Sequence, residues 1–256
     1  MSKRIVVLAY GLAAYALFLF TLGYAVGFVG GFLTPTRLDA PAEVGAAEAV
    51  AVDLGLLALF ALQHSGMARP RFKRWLTRFV PPAAERSTYV LMSNVALLLL
   101  FALWRPVGGS VWELAGAARL AVYAAFALGW VLVFVSTLLI DHFDLFGLRQ
   151  VWQFARGREY TPPAFTTPWL YRVVRHPLYV GWLVVLWAAP TMTVSHLLFA
   201  AVTTAYILLA IGWEERDLIA AHPEYAGYRA RVPMLLPRLL RGRVESPPSG
   251  LSGSAG

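Results

Sequence analysis

The most constraining feature of this sequence is a series of long segments with very few charged side chains. They cover residues 5–32, 46–63, 89–104 and 117–140, and a further apolar block covers residues 178–212. A helix needs roughly 20 mainly apolar residues to cross the hydrocarbon core of a bilayer. Because backbone polar groups cannot stay unpaired in lipid, segments of this kind fold as helices. The sequence therefore predicts an all-α, polytopic membrane bundle.

The last apolar block is interrupted near its middle. Pro190 is followed by the polar run 191–196, and proline ends a helix while a polar run suits a membrane interface. We therefore expect a helical hairpin here, which gives four full crossings plus the hairpin, while a looser count gives five to six crossings. The prediction is a bundle of about five transmembrane helices in one integral domain, residues 1–243. The Ser, Pro and Gly tail, residues 244–256, is expected to be disordered.

Positive charge predicts the orientation of the bundle. The chain has 22 Lys and Arg against 14 Asp and Glu, a formal net charge of +8. If the spans alternate, only Arg37, Arg105 and Arg119 fall opposite the other cations, so the basic side is expected to face the cytoplasm. We expect this charge to contact the lipid bilayer of the cell's inner membrane and not nucleic acid, because no basic-aromatic module is present. Cysteine is absent, which excludes disulfides, thiolate metal sites and a cysteine nucleophile.

Two polar clusters follow predicted spans on the basic side. Ionisable groups near membrane depth usually face a cavity or a partner. In Gln63-His64-Ser65, His64 either takes a proton or orients a substrate, or it caps its helix through the helix dipole. Asp141-His142-Phe143-Asp144, followed by Arg149-Gln150, is compatible with a metal site, an ion-pair network or a substrate-facing site. A metal is disfavoured because there is no second histidine at helical spacing. If the helix continues, Asp141 and Asp144 share one face.

Two further clusters lie in the C-terminal third. In Arg175-His176-Pro177-x-Tyr179-x-Gly181, the proline defines a helix start with free backbone N–H groups, and Gly181 allows close approach of a ligand or backbone. By itself this pattern is also what a helix entry with cytoplasmic positive charge looks like. Glu214-Glu215 ends the last apolar run, where the helix dipole disfavours anions. A cationic or hydroxyl-rich ligand, or pairing with Arg175, Arg216 or Arg229, is expected to offset them.

These residues resemble a known superfamily. The Arg175 to Gly181 turn, Glu214-Glu215, and Pro223-Glu224-Tyr225 with Tyr228 and Val232-Pro233 are similar to the isoprenylcysteine carboxyl methyltransferase and phospholipid methyltransferase superfamily. The segments 63–69, 85–91 and 142–150 narrow the resemblance to the bacterial methanethiol S-methyltransferase branch, related to NnrU-like proteins. The match covers most of residues 1–240.

The resemblance implies a methyltransferase that uses S-adenosylmethionine, held at the cytoplasmic face by residues within about 141–237. The implied acceptor is a small-molecule thiol, methanethiol, which would become dimethyl sulfide. The residues expected to bind the cofactor are Arg175, His176, Pro177, Tyr179, Gly181, Glu214, Glu215, Tyr225 and Tyr228. The candidates for thiol activation are His64, or His142 held by Asp141 or Asp144, and the candidates for substrate contact are Ser65, Arg149 and Gln150. No metal is expected.

Two alternatives stay open at this point. A larger lipophilic thiol, carboxylate or lipid acceptor would need a lateral opening between spans and an arginine beside the acceptor. A non-catalytic membrane protein would instead bind a ligand such as haem, through His64 and His142.

Overall fold

The computed structural model of this protein describes residues 2–237. The tail predicted to be disordered, residues 244–256, lies outside the described residues, as do Arg238, Arg241 and Arg243.

Within residues 2–237, five helices are long and apolar enough to cross a bilayer. They are α1 (Ser2–Gly30), α2 (Ala46–Ala68), α4 (Glu85–Leu103), α5 (Gly116–Leu139) and α9 (Val194–Ala221). The protein is therefore a multi-pass membrane protein, and the predicted all-α polytopic bundle is confirmed. The predicted spans differ from these helices by a few residues where polar residues extend a helix beyond its apolar part.

The described chain also contains shorter helices. These are α3 (Pro70–Leu76), α6 (His142–Leu145), α7 (Leu148–Ala155), α8 (Pro177–Trp187) and α10 (Tyr225–Arg231), with 3₁₀ turns at Pro82–Ala84 and Trp169–Arg172. At 1.5 Å per residue, α8 is about 16 Å long, roughly half the thickness of a hydrocarbon core. The expected hairpin therefore consists of one short arm, α8, and one full crossing, α9. The second arm, α9, continues past the predicted end at residue 212, since the more polar residues 213–221 are also helical.

Helices α5 and α8 pack closely at two glycines. A Cβ added to Gly181 would lie 2.8 Å from the backbone nitrogen of Val133, and one added to Gly129 would lie 3.0 Å from the backbone nitrogen of Val185. Both distances are too short for a side chain. The close approach predicted for Gly181 is thus one between helix backbones, which fixes α8 against α5.

The end of the bundle opposite the predicted site contains a small ribbon absent from the sequence expectations. Strands β1 (Ser110–Glu113) and β2 (Thr191–Thr193) pair antiparallel. The indole nitrogen of Trp112 donates to the carbonyl of Ala189 across the same turn, at 3.1 Å. The ribbon connects the loop before α5 to the α8–α9 turn.

A buried histidine strengthens this end of the bundle. His196, 1% exposed, places Nδ1 3.0 Å from Asp39 Oδ2 and Nε2 2.9 Å from the carbonyl oxygen of Leu186. The ring thus lies between the Asp39 carboxylate and the end of α8, within hydrogen-bond distance of both. The Thr193 hydroxyl donates to the other Asp39 oxygen. The same hydroxyl caps α9 by accepting from the backbone nitrogen of His196. The α8–α9 turn is thereby attached to the loop after α1.

The core lies between the long helices and is rich in aromatic rings. Phe28 from α1, Phe101 and Trp104 from the end of α4, and Phe199 from α9 pack on one another, with ring centroids 4.7 to 6.3 Å apart. This packing holds α1, α4 and α9 together, and it leaves the polar clusters singled out from the sequence at the end of the bundle where α2 ends and α4 begins.

Candidate functional site

Glu215 is the centre of a buried network in the C-terminal third. Its side chain is 5% exposed, and Oε1 accepts from Arg175 Nε at 2.7 Å and pairs with His176 Nε2 at 3.1 Å. Oε2 forms an ion pair with Arg229, whose Nε lies 3.1 Å away, and the Tyr225 hydroxyl approaches Oε1 at 3.5 Å. Of the two carboxylates at the end of the last apolar run, Glu215 therefore pairs with both Arg175 and Arg229. One carboxylate joins α9, the start of α8 and α10.

Arg216, the other arginine considered for this role, donates to the carbonyl of Gly212 at 3.1 Å.

The chain before α8 also binds the segment after α10 through its backbone. The nitrogen of Arg175 donates to Pro233 O at 2.8 Å, and that of His176 donates to Met234 O at 3.2 Å. The Nη1 of Arg175 donates to the carbonyl oxygens of Arg229 and Val232. Both Nε and Nη1 of Arg175 therefore donate to acceptors within the protein.

Pro177 occupies the first turn of α8, as predicted, and His176 precedes the helix as its N-cap residue.

Glu214 has different surroundings from its neighbour. Successive residues of a helix point about 100° apart, so when Glu215 faces the buried network, Glu214 faces away from it. Glu214 is exposed, and its Oε2 accepts from the Tyr179 hydroxyl at 3.0 Å. Glu214 is therefore the carboxylate of the pair that is open to a ligand.

His64 belongs to a second cluster, which joins α2 to α4. The Tyr89 hydroxyl lies 2.9 Å from His64 Nε2, and the Ser93 hydroxyl lies 3.2 Å from Nδ1. Phe60, one turn earlier in α2, stacks on the imidazole with centroids 5.1 Å apart. The capping alternative is not what the structure shows, because α2 continues to Ala68 and the His64 side chain binds α4.

The two clusters lie at one site. Ser65 and Tyr206 place their hydroxyl oxygens 2.9 Å apart, which joins α2 to α9. Tyr89 is within electrostatic range of Glu214, and Tyr179 is within range of both Tyr89 and Tyr206. The structure thus brings together the 63–65 segment and the motif residues Tyr179 and Glu214, which are far apart in the sequence.

Arg86 was not among the predicted site residues, yet it lies beside this cluster. Its guanidinium carbon is 5.0 Å from the centre of the Tyr89 ring, and its Nε donates to Leu145 O at 2.7 Å. It is also within electrostatic range of His64. The sequence did point to Arg86, because it belongs to the 85–91 segment that carried the family resemblance. Its charge alone, however, indicated only the orientation of the bundle in the membrane.

His142 has a separate environment. It is 4% exposed, with Nδ1 2.8 Å from the Thr137 hydroxyl and Nε2 2.9 Å from the Tyr15 hydroxyl. Phe134, Phe143 and Phe146 surround the ring. Burial lowers the pKa of His142 below its ordinary value, so the ring is neutral at pH 7. Haem iron would have to displace one of these hydrogen bonds to bind this ring.

The acidic residues next to His142 have local partners. Arg149 donates to Asp141 Oδ2 at 2.6 Å, and Tyr160 donates to Asp144 Oδ1 at 2.9 Å. Gln150 donates to the Asp144 carbonyl at 3.1 Å. Burial raises the pKa of Asp144, and burial, with the nearby carboxylate, raises that of Tyr160 to about 12.

Asp141 and Asp144 would share a face only if the helix continued, and the structure shows that it does not. Helix α5 ends before them, and Asp141 has φ 78°, which turns the chain and lets its side chain cap α6 by accepting from the Asp144 nitrogen at 3.1 Å. Asp tolerates this left-handed conformation better than most residues. Across residues 2–237, no three His, Asp or Glu side chains converge as metal ligands.

Tyr225 and Tyr228 form an aromatic group on α10. Phe165 from the preceding loop lies 5.7 Å from each ring centroid, and His222 lies 5.6 Å from Phe165. The Tyr228 hydroxyl donates to the Tyr171 carbonyl. Burial raises the pKa of Tyr228 to about 12, so the phenol is uncharged. This group packs around the Glu215 network.

Comparisons with known proteins agree with the resemblance seen in the sequence. Methanethiol S-methyltransferase of Crocosphaera subtropica is 54% identical over 237 residues, 92% of this chain and 93% of that protein. Methanethiol S-methyltransferase of Mycobacterium tuberculosis is 52% identical over 92% of this chain and 97% of its own length. Human Nurim is 37% identical over 179 residues, 66% of this chain and 68% of that protein.

No protein-family model matches the chain, and no solved structure matches it. The identity to full-length relatives is nevertheless far above the level at which a family is shared. The chain belongs to the methanethiol S-methyltransferase family.

Proposed function

We propose that this protein transfers a methyl group from S-adenosylmethionine to methanethiol and so forms dimethyl sulfide and S-adenosylhomocysteine. Relatives that match along nearly their whole length bear the name of this activity. The observation that carries the proposal is that Tyr89, which contacts His64, lies within electrostatic range of Glu214 and of Tyr179, the tyrosine that donates to Glu214. Two tyrosines thus lie between the proposed proton acceptor and the exposed carboxylate.

The residues at this site fit the cofactor chemically. S-adenosylmethionine, when bound, supplies a methyl group activated by a positively charged sulfonium. The exposed carboxylate of Glu214 suits a cationic amino group or ribose hydroxyls, and the half-buried Tyr179 offers aromatic surface for adenine. Tyr225 and Tyr228, also expected at the cofactor, are 2% and 6% exposed and pack against the Glu215 network instead.

The other motif residues have supporting roles in this proposal. Arg175, His176 and Glu215 hold α8, α9 and α10 in position through the buried network. Pro177 starts α8, and Gly181 lets it approach α5. Arg175 was expected to bind the cofactor; because its Nε and Nη1 donate to acceptors within the protein, we assign it to this supporting role.

His64 is the proton acceptor in this proposal. A thiol is mostly protonated near neutral pH and is a far weaker nucleophile than its thiolate. The Tyr89 hydroxyl lies 2.9 Å from Nε2 and 3.1 Å from Nδ1 of His64, and Ser93 lies near Nδ1. In the tautomer that carries its proton on Nδ1, Nε2 is free to accept the thiol proton directly or through the Tyr89 hydroxyl. The nearby Arg86 cation favours the thiolate that is left. His142, whose ring nitrogens bind Tyr15 and Thr137, is a structural residue here, and Asp141 and Asp144 hold the turn beside it.

The experiment that tests the proposed function is headspace gas chromatography of the purified protein. Given methanethiol and S-adenosylmethionine, it is expected to release dimethyl sulfide and equimolar S-adenosylhomocysteine. Absorbance of the same preparation checks the haem alternative. Absence of both products from folded protein that has been given both substrates would contradict the proposal.

We also propose that this site faces the cytoplasm, as the Lys and Arg asymmetry indicates. Arg74 and Arg158 lie in segments at the site end of the bundle. Cysteine placed at either position in this cysteine-free chain is expected to resist an impermeant thiol reagent in intact cells and to react after permeabilisation.

A cysteine at Val111, in the ribbon at the other end of the bundle, serves as the matched control and is expected to react in intact cells. Labelling of Arg74→Cys or Arg158→Cys from outside would reverse the orientation.

A further inference from the structure

Two aromatic rings pack in sequence beside His64. Phe60 stacks on the imidazole at 5.1 Å, and its ring meets that of Tyr206 edge to face at 6.2 Å. Ser65 of α2 and Tyr206 of α9 add a second contact between these two helices, with their hydroxyl oxygens 2.9 Å apart. Phe60, Tyr206 and Ser65 together, which we name the α2–α9 contact, join the helices next to the proposed proton acceptor.

The position of Phe60 on α2 explains why its ring lies beside His64. Residues four apart on a helix are neighbours, so Phe60 lies next to His64 on α2; His64 contacts Tyr89 of α4, and Phe60 also contacts Tyr206 of α9. Leu62, which is 75% exposed, points to the lipid instead. The Phe60 ring therefore covers the imidazole from the membrane centre, which is the direction in which the chain of a lipophilic acceptor would extend.

We propose that Phe60 and Tyr206 limit the size of the thiol acceptor, admitting a sulfur that carries one methyl group and excluding longer alkyl chains. This inference rests on the proposed function and specifies its acceptor. An apolar pocket distinguishes substrates that differ by one methylene by only roughly 10- to 200-fold through binding. A methyl group offers almost nothing to bind, so selection for it has to come from closing the space that a longer chain would need.

The contact also separates this site from one that serves a lipid-like acceptor. Such an acceptor has to enter sideways between helices, and the α2–α9 contact fills that space beside His64 with side chains. Removing one ring is expected to open it, because an apolar cavity on the order of 150 Å³, about what a large truncation leaves, binds a molecule as large as benzene.

The test compares methanethiol and 1-butanethiol as acceptors for the wild type and for Phe60→Ala. Wild type is expected to methylate methanethiol and to have a kcat/KM for 1-butanethiol lower by about 100-fold or more. In Phe60→Ala, kcat/KM for 1-butanethiol is expected to rise by about 10-fold or more, and kcat/KM for methanethiol to fall. Both sulfide products are measured by headspace gas chromatography.

Two further variants serve as a control and as a substitute for Phe60→Ala. Leu62→Ala truncates a lipid-facing side chain of the same helix and is expected to keep the wild-type ratio. Phe60→Leu is a smaller truncation, used with ethanethiol if Phe60→Ala does not fold, and is expected to raise the ethanethiol-to-methanethiol ratio. Calorimetry with S-adenosylmethionine confirms that each variant retains its cofactor affinity.

The outcomes distinguish this inference from the function on which it rests. A wild type that forms dimethyl sulfide, combined with unchanged acceptor ratios in the Phe60 variants, would overturn the size limit alone. The same holds for a wild type that uses 1-butanethiol as well as methanethiol. A folded wild type that forms no dimethyl sulfide would overturn the proposed function, and the size limit with it.

Discussion

Replacing His64 by Gln is expected to lower the rate of dimethyl sulfide formation by about 10²- to 10⁴-fold at neutral pH, the usual contribution of a positioned general base. Glutamine retains hydrogen-bonding groups for Tyr89 and Ser93 but cannot take a proton. As the pH rises, solvent deprotonates more of the thiol, so the variant is expected to recover part of the lost rate. The measurement is kcat/KM for methanethiol against pH, for wild type and variant.

His142→Gln is the matched control for this experiment. His142 is a buried histidine that binds Tyr15 and Thr137, so its loss is expected to reduce the yield of folded protein, or the rate by one factor at every pH. Cofactor affinity is measured first for both variants. A deficit in His64→Gln that is the same across the pH range would remove His64 from the base role.

Replacing Glu215 by Gln is expected to destabilise the protein by about 3–5 kcal/mol, the typical cost of removing one partner of a buried ion pair. Arg175, with a side chain 9% exposed, would be left with a buried uncompensated charge. Since the whole stability of a domain is about 5–15 kcal/mol, the C-terminal segment is expected to detach and cofactor binding to be lost with it. Thermal unfolding in detergent measures the first effect and calorimetry the second.

Glu214→Gln, one residue away, provides the contrast. Its carboxylate is exposed and accepts from Tyr179, so thermal unfolding is expected to stay unchanged. Affinity for S-adenosylmethionine is expected to fall about 10- to 100-fold, the value of one hydrogen bond to a charged group. Unchanged affinity in Glu214→Gln, or unchanged stability in Glu215→Gln, would show that the two carboxylates are not divided in this way.

The membrane architecture was largely predictable because it depends on local composition. A span is recognised from its own apolar residues, and Pro190 marked the break between α8 and α9 for a local steric reason. The ribbon was not predictable in this way. Strands of four and three residues have too little pattern to identify, and β1 finds its partner in a turn about 80 residues later.

The site was predictable as a set of motifs but not as an arrangement. The sequence identified His64, Tyr179 and Glu214, since each belongs to a recognisable segment. It could not separate Glu214 from Glu215, because which of two adjacent helical residues faces the core depends on the rotation of α9. Tyr206 and Phe60 carried no signal either, because an aromatic residue within an apolar span looks like any other residue facing lipid or core.

The contact between His196 and Asp39 has a consequence for the distant site. It fixes one end of α9, and Glu214 lies about 27 Å further along the same helix at 1.5 Å per residue. A tilt of α9 by about 2° around the contact between His196 and Asp39 would move Glu214 by roughly 1 Å. A displacement of this size in a site can cost about 100-fold in rate. The position of the Glu214 carboxylate is therefore determined in part on the opposite side of the membrane.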